Sequence, residues 1–318
     1  MLEGQPVPPL TRPPDFDRFW SATRAELAGV AARPKLERVD AKRGLVLERL
    51  TFGSLGGARV HGYVLRATDG AARPLVVHGH GYGSEVTPMW QWARAGVDVV
   101  GVDVRGYGES ERAAPDTAPS GYILTGSEAP ETHILRGAVC DYMRAVEVAR
   151  DLLGAQAPRT VLHGFSFAGG LAVMAEAQLQ VADLLVLGVP SLGWAEGRRL
   201  FATGGSGNEI NRYLDSGFEA HDEEDLMVVF RYFDSMNFAD RVRCPTLVGV
   251  GEVDLVVPQP TVLAIASRLA GRTEVMTFPV SHSESPEERR WDEFEARWLR
   301  LAVKGVPERF GAYSTPSA

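Results

Sequence analysis

Strand-like and helix-like segments alternate along most of this 318-residue chain. That order predicts an α/β fold: a mostly parallel central sheet with helices on both faces. A second observation agrees. Apolar runs such as Leu184-Leu185-Val186-Leu187 are continuous rather than alternating, as strands buried on both sides require. A third is one long interruption, residues 191 to about 240, which holds no strand signal between two core strands.

The elements follow in order. Pro6, Pro8, Pro9, Pro13 and Pro14 make the start an extended arm. Asp15 is placed to cap a helix running to about Val30, with Phe16, Phe19, Trp20, Thr23 and Leu27 on one face. Val46–Phe52 and Arg59–Arg66 read as strands, and the glycines of Gly53-Ser54-Leu55-Gly56-Gly57 mark a hairpin between them. Strands are then expected at Pro74–His78, Val97–Val104, Thr160–His163, Asp183–Val189, Pro245–Val250 and Glu274–Phe278. Helices are expected around Pro88–Ala95, over Thr132–Leu153, from Leu171, from Pro258 and after Ser285-Pro286. The interruption at 191–240 carries Trp194, Arg198, Phe201, Tyr213, Phe218, Phe230, Tyr232 and Phe233. It reads as a helical insertion over the C-terminal edge of the sheet, the edge where open α/β sheets bind ligands. The whole of 1–318 is expected to be one domain.

Composition narrows the class. A hydrophobic content of 45% and a charged content of 23% belong to an ordinary globular chain. A net charge of −8 argues against phosphate backbones and anionic membranes as partners. Cys140 and Cys244 lack the close spacing of a metal or redox pair. With no basic-then-apolar leader at Met1–Pro6, they suggest a cytoplasmic protein. No apolar run approaches the length of a membrane span.

The chemistry concentrates at strand ends. Val161-Leu162-His163-Gly164-Phe165-Ser166-Phe167-Ala168-Gly169-Gly170 writes a strand, a tight turn of small residues around a serine, and a helix start. A serine on such a strained turn is exposed as a nucleophile. It needs a base to take its proton and a carboxylate to orient that base. Asp254 follows the strand at Pro245–Val250, and His282, the last of seven histidines, follows the next strand. Serine, acid and histidine thus come in the chain order of a strand-elbow hydrolase. Glu252 is a rival for the acid, and Asp222, Asp225, Asp234 and Asp240 are weaker ones.

An oxyanion requires backbone donors. One is the N–H of Phe167. The other comes from His78-Gly79-His80-Gly81-Tyr82-Gly83, in a register that places either His80 or Tyr82. His78 and His80 form an H-x-H pair, but no third ligand stands at metal spacing, so no metal or other cofactor is expected. Arg105, in Asp103-Val104-Arg105-Gly106-Tyr107-Gly108, reads as a structural ion-pair former, and His163 as a buried histidine.

On these residues the chain resembles the acetyl xylan esterase / cephalosporin C deacetylase family (carbohydrate esterase family 7) of α/β-hydrolases. The likeness covers nearly the whole chain. Arg12-Pro13-Pro14-Asp15-Phe16-Asp17-Arg18-Phe19-Trp20 is similar to the family's opening helix. Arg105-Gly106-Tyr107 stands where the family has Arg-Gly-Gln, and Gly164–Gly170 where it has Gly-Gly-Ser-Gln-Gly-Gly. Tyr232–Ala239, leading to Cys244-Pro245, resembles the segment before the acid strand. The resemblance implies Ser166, Asp254 and His282 as the triad. It places the second oxyanion N–H on Tyr82, because Gly81-Tyr82-Gly83 resembles the family's Gly-Tyr loop.

The departures are Tyr107 and Phe167 for glutamines, Ala168 for a glycine, Val257-Pro258-Gln259 for Cys-Pro-Pro, and His282-Ser283-Glu284 for His-Glu. The oxyanion donors are backbone groups and survive these changes, whereas the pocket, with Tyr107 and Trp194 as candidate walls, need not. The expectation is a serine esterase that removes short acyl groups, most readily acetyl, from acetylated sugars or related small esters. The family's common hexameric assembly is expected with it. The rivals are a hydrolase of another acyl or amide bond, peptidase-like, and a non-catalytic binding protein of the same fold.

Overall fold

The structure, a computed structural model, describes residues 7–216, 223–282 and 289–311. Phe218, Asp222, Ser283, Glu284 and the helix start expected at Ser285-Pro286 lie outside the described residues.

Helix α1 (Phe16–Ala28) buries Phe16, Phe19, Trp20, Thr23 and Leu27, the face expected from their spacing. Asp15 stands at the N-cap position but makes no capping bond. Its carboxylate instead accepts hydrogen bonds from the Tyr232 phenol and from Arg18. The aromatic face of α1 packs on Tyr232, Phe233 and Phe238, which draws Asp15 toward the Tyr232 hydroxyl and away from its own helix.

Strand β1 (Lys35–Lys42) was not foreseen. It is exposed along its whole length and mostly charged, and its apolar residues Leu36, Val39 and Ala41 show no regular alternation. Its place at the sheet edge explains the exposure and the charge, since charge on an edge strand discourages pairing with other chains. Next comes the expected antiparallel hairpin, β2 (Leu45–Gly53) and β3 (Arg59–Ala67). Gly56 and Gly57 turn it with φ of 69° and 77°, values that only glycine adopts freely.

The alternating region follows: β4 (Leu75–Gly79), α2 (Trp90–Arg94), β5 (Asp98–Asp103), α3 (Ile134–Ala149), β6 (Thr160–Phe165), α4 (Phe167–Leu179) and β7 (Leu184–Gly188). The expected interruption is helical: α5 (Ala195–Phe201), α6 (Gly205–Asp215), α7 (Glu223–Arg231) and α8 (Met236–Ala239). The chain returns through β8 (Thr246–Gly251), α9 (Gln259–Ala266), β9 (Thr273–Phe278) and α10 (Arg290–Lys304).

The nine strands among the described residues form one sheet in the order β1-β2-β3-β5-β4-β6-β7-β8-β9. Pairing is antiparallel from β1 through β3 to β5 and parallel from β5 to β9. The core divides into two clusters, one on each face. Val77, Val100, Leu162, Leu185 and Val248 point to the face covered by α1, α3, α4 and α9. Their strand neighbours Val76, Val99, Val161, Leu184 and Leu247 point to the face covered by α2 and α10. Both faces being covered is why the runs read as continuously apolar.

From β4 the chain moves out to β5, then crosses back to β6 on the other side of β4. Such a reversal opens a crevice at the C-terminal ends of the strands. The loop after β4 and the turn after β6 form its two sides.

Candidate active site

Ser166 occupies the turn between β6 and α4 with φ 54° and ψ −115°, a conformation strained for any residue with a Cβ. Strain of this kind costs about 1–3 kcal/mol and persists only where the surroundings enforce it. Here they do. Ser166 N–H donates to Gly188 O at 2.8 Å, and Ser166 O accepts from Gly169 N, Gly170 N and Ser191 N at 2.9, 3.3 and 3.0 Å.

The small residues around it have no room to grow. A Cβ on Gly164 would meet Ala168 O at 2.2 Å, and one on Gly169 would meet the Pro190 Cα at 2.8 Å. Ala168 itself fits because a glycine faces it: a Cβ on Gly79 of β4 would lie 3.1 Å from the Ala168 Cβ. The alanine that departs from the expected elbow pattern is thus accommodated on the neighbouring strand.

The register relates the ends of four strands, β6 to β9, with β8 running two residues past the level of Phe165. Phe165 aligns with Gly188, Gly188 with Gly249, and Gly251 with Phe278. Ser166, Asp254 and His282 each leave that common rim. Asp254 is buried, with its side chain fully enclosed, and both carboxylate oxygens are engaged. Oδ1 accepts from Val256 N–H and Val257 N–H, both at 2.9 Å. Oδ2 accepts from the His282 backbone N–H at 2.9 Å and from its Nδ1 at 2.8 Å. Burial pushes the Asp254 carboxyl up, but the His282 imidazole and the backbone N–H groups outweigh it, and the group lies below its ordinary value. It therefore stays ionised, and it fixes His282 as the Nδ1–H tautomer with Nε2 turned outward. The rival acid, Glu252, is exposed.

Among the described residues the side-chain bond of His282 runs to Asp254, and the bonds of Ser166 are made by its backbone; none joins Ser166 Oγ to the imidazole. Such serine–histidine bonds commonly tighten only when substrate binds.

The two candidate oxyanion donors lie on the loop after β4 and at the start of α4. Phe167 is the first residue of α4, where helix N–H groups have no intrahelical partner and the dipole favours negative charge. Neither Phe167 N–H nor Tyr82 N–H has a backbone acceptor among the described residues. Their rings touch: Tyr82 meets Phe167 edge to face at 5.6 Å. His80, Tyr107 and Tyr122 complete the cluster, with Phe167 fully buried at its centre. The Phe167 and Tyr107 departures therefore pack against one another.

Trp194 has φ 51°, held by Asp234, whose carboxylate accepts from the N–H groups of Trp194, Ala195 and Met236 at 2.8, 2.8 and 2.9 Å. Its ring meets Phe201 at 5.9 Å. Burial lifts the Asp234 carboxyl to about 6.

The remaining histidines of the loop are structural. His78 Nε2 accepts a hydrogen bond from the Tyr63 hydroxyl at 2.6 Å, and its Nδ1 faces Gly79 O at 3.2 Å. His80 Nδ1 donates to Gly81 O at 2.8 Å, and Nε2 accepts from Val104 N–H at 3.3 Å. Burial lowers both to about 4, so they are neutral. No group of three or more His, Cys, Asp or Glu among the described residues could hold a metal. Arg105 makes the expected ion pair, bidentate to the enclosed Asp141 at 2.8 and 2.7 Å.

One contact had no sequence signal. Glu209 Oε2 of α6 accepts a hydrogen bond from the Tyr82 hydroxyl at 2.6 Å, joining the insertion to the loop after β4.

The chain is also similar to known proteins. Residues 7–300 match a family model described as acetyl xylan esterase (AXE1). The acetyl xylan esterase from Paenibacillus sp. R4 superposes with a TM-score of 0.83 at 24% identity, over 93% of this chain and 97% of that one. Acetyl xylan esterase 1 from Thermoanaerobacterium sp. JW/SL YS485 gives 0.82 at 22%, over 92% and 95%. The acylaminoacyl peptidase of Pyrococcus horikoshii gives 0.62 at 16%, over 88% of this chain but 43% of that one. At these identities the structural likeness is one of fold, that of the α/β-hydrolases, while the family match spans nearly the whole chain. This chain belongs to the acetyl xylan esterase family, and it is a carboxylic-ester hydrolase.

Proposed function

We propose that the chain is a serine esterase that removes short acyl groups, most readily acetyl, from small esters such as acetylated sugars. The observation that carries the reading is the buried Asp254–His282 pair, standing on the same strand rim as a serine held in a strained elbow. In the proposed cycle Ser166 Oγ attacks the ester carbonyl and His282 Nε2 takes its proton. Asp254 Oδ2 holds Nδ1–H and stabilises the imidazolium. The N–H groups of Tyr82 and Phe167 receive the developing oxyanion. The imidazolium then gives its proton to the leaving alcohol oxygen. Water attacks the acyl-enzyme by the same route and frees the acid and Ser166.

The acetyl preference is supported by the family match. A hexameric assembly is part of the proposal, and light scattering tests it. A cytoplasmic setting, which the two free cysteines support, is part of it too, and cell fractionation tests that.

Ser166→Ala is expected to abolish p-nitrophenyl acetate hydrolysis, with turnover down by about 10⁴-fold or more and an unchanged circular dichroism spectrum. A fluorophosphonate should label the native protein and not the variant. Undiminished turnover in Ser166→Ala overturns the mechanism. A preference for anilides over esters in an acyl panel overturns the substrate class.

A further inference from the structure

The loop after β4 supplies one of the two oxyanion donors in the reading above, on which this inference rests. A loop donor is useful only if it is held, because a misplacement of about 1 Å in a reacting constellation costs up to about 100-fold in rate. The Tyr82 side chain shows what holds it. Its hydroxyl accepts from Ile123 N–H at 3.0 Å and donates to Glu209 Oε2 at 2.6 Å. The amide takes the oxygen lone pair, so the phenol proton is directed at the carboxylate. Burial first, and then the Glu209 acceptor, raise the phenol far above its ordinary value, so it keeps that proton.

Three segments meet at this one hydroxyl: the loop after β4, the turn at Tyr122–Leu124, and α6 of the insertion. Glu209 is itself seated closely. A Cβ on Gly121, which has φ 128°, would lie 2.2 Å from Glu209 Oε2. The Tyr82 ring also leans on Phe167, whose N–H is the other donor. A pull on the phenol is thus a pull on one donor relative to the other.

We propose that Glu209 is a positioning residue for the oxyanion site: through the Tyr82 phenol, helix α6 of the insertion sets the Tyr82 N–H against that of Phe167. Glu209 touches no reacting atom. Its loss should lower turnover and leave substrate affinity alone, because the oxyanion exists only in the transition state.

The test uses steady-state p-nitrophenyl acetate hydrolysis by the full chain. Glu209→Ala should lower kcat about tenfold with KM within about twofold. Glu209→Gln, whose amide oxygen can accept the same proton, should recover kcat to within about threefold of the native value. Tyr82→Phe, which also leaves Ile123 N–H without its acceptor, should lower kcat at least as much as Glu209→Ala, and the double variant should be no worse than Tyr82→Phe, since both substitutions remove the Tyr82–Glu209 bond. Native kcat in Glu209→Ala overturns the inference. So does a defect confined to KM, equal loss in Ala and Gln, or additive loss in the double variant. If Glu209→Ala fails to fold, the contrast between Tyr82→Phe and Glu209→Gln decides by the same criteria. The outcome is separable from the esterase reading, which stands or falls with Ser166→Ala.

Discussion

The two sides of the site are built by different physics. Around Asp254 and His282 the construction is polar: one enclosed carboxylate receives four N–H groups, and the orientation of the His282 imidazole follows from them. Around Ser166 it is steric: glycines and an alanine leave just enough space for a turn the backbone would not otherwise adopt. The first side should be sensitive to charge at constant volume. The second should be sensitive to volume at constant charge.

The sharpest test of that contrast is Asp254→Asn. It is isosteric, yet its amide cannot serve as acceptor for all four N–H groups, and it no longer fixes the Nδ1–H tautomer or stabilises the imidazolium. A fall in kcat of about 10³–10⁴-fold is expected, with a native circular dichroism spectrum. Retained activity would show that the pair is structural rather than catalytic.

Gly164→Ala probes the other side. It adds one methyl group 2.2 Å from Ala168 O, where the neighbouring atoms are backbone. Overpacking of this kind costs about 1–3 kcal/mol or more. A lower midpoint of thermal unfolding is therefore expected, together with lost activity as the elbow shifts. An unchanged midpoint would break the claim that the elbow is sterically determined.

The smallest effect is a pH dependence. Glu176 lies on α4, the helix behind Ser166, where its carboxylate accepts from Val181 N–H and Ala182 N–H at 3.2 and 3.1 Å. Burial lifts it from 4.5 to about 7. Because the folded value is raised, its contribution to stability is fully present below pH 4.5 and is lost as pH rises through about 7. Glu176→Gln cannot titrate, so its unfolding midpoint should gain on the native protein by a few degrees between those limits. A constant difference across that range would mean that Glu176 is not held in a raised state.

Much of this was legible in the residues. The triad candidates were visible because each follows an apolar run and their chain order is constrained by the topology. Ser166 also stood between Gly164 and the small run Ala168-Gly169-Gly170, which a tight turn requires. Other features were not. Strand β1 is mostly charged, and its few apolar residues, Leu36, Val39 and Ala41, do not alternate regularly and are exposed at the edge, so periodicity had little to detect. Asp15 satisfied the pattern of a helix cap, but the aromatic packing of α1 on Tyr232 gave its carboxylate a different partner. Asp234 read as a weak alternative for the catalytic acid, and the structure uses it to hold the backbone at Trp194 and Ala195. Glu209 sits on an amphipathic helix like many surface glutamates, and nothing in its neighbours marks it as the partner of a tyrosine 127 positions earlier.

The amino-acid sequence by itself determined the alternation of strands and helices, the turn at Ser166, and the order of the acid and the histidine. These depend on local periodicity, on small residues, and on which residues end a strand. Only the tertiary structure decided which carboxylate meets His282, where the rings of Phe167 and Tyr107 go, and how the insertion reaches the loop after β4. Those outcomes depend on distances between segments far apart in the chain, and such distances exist only once the sheet has put its strand ends side by side.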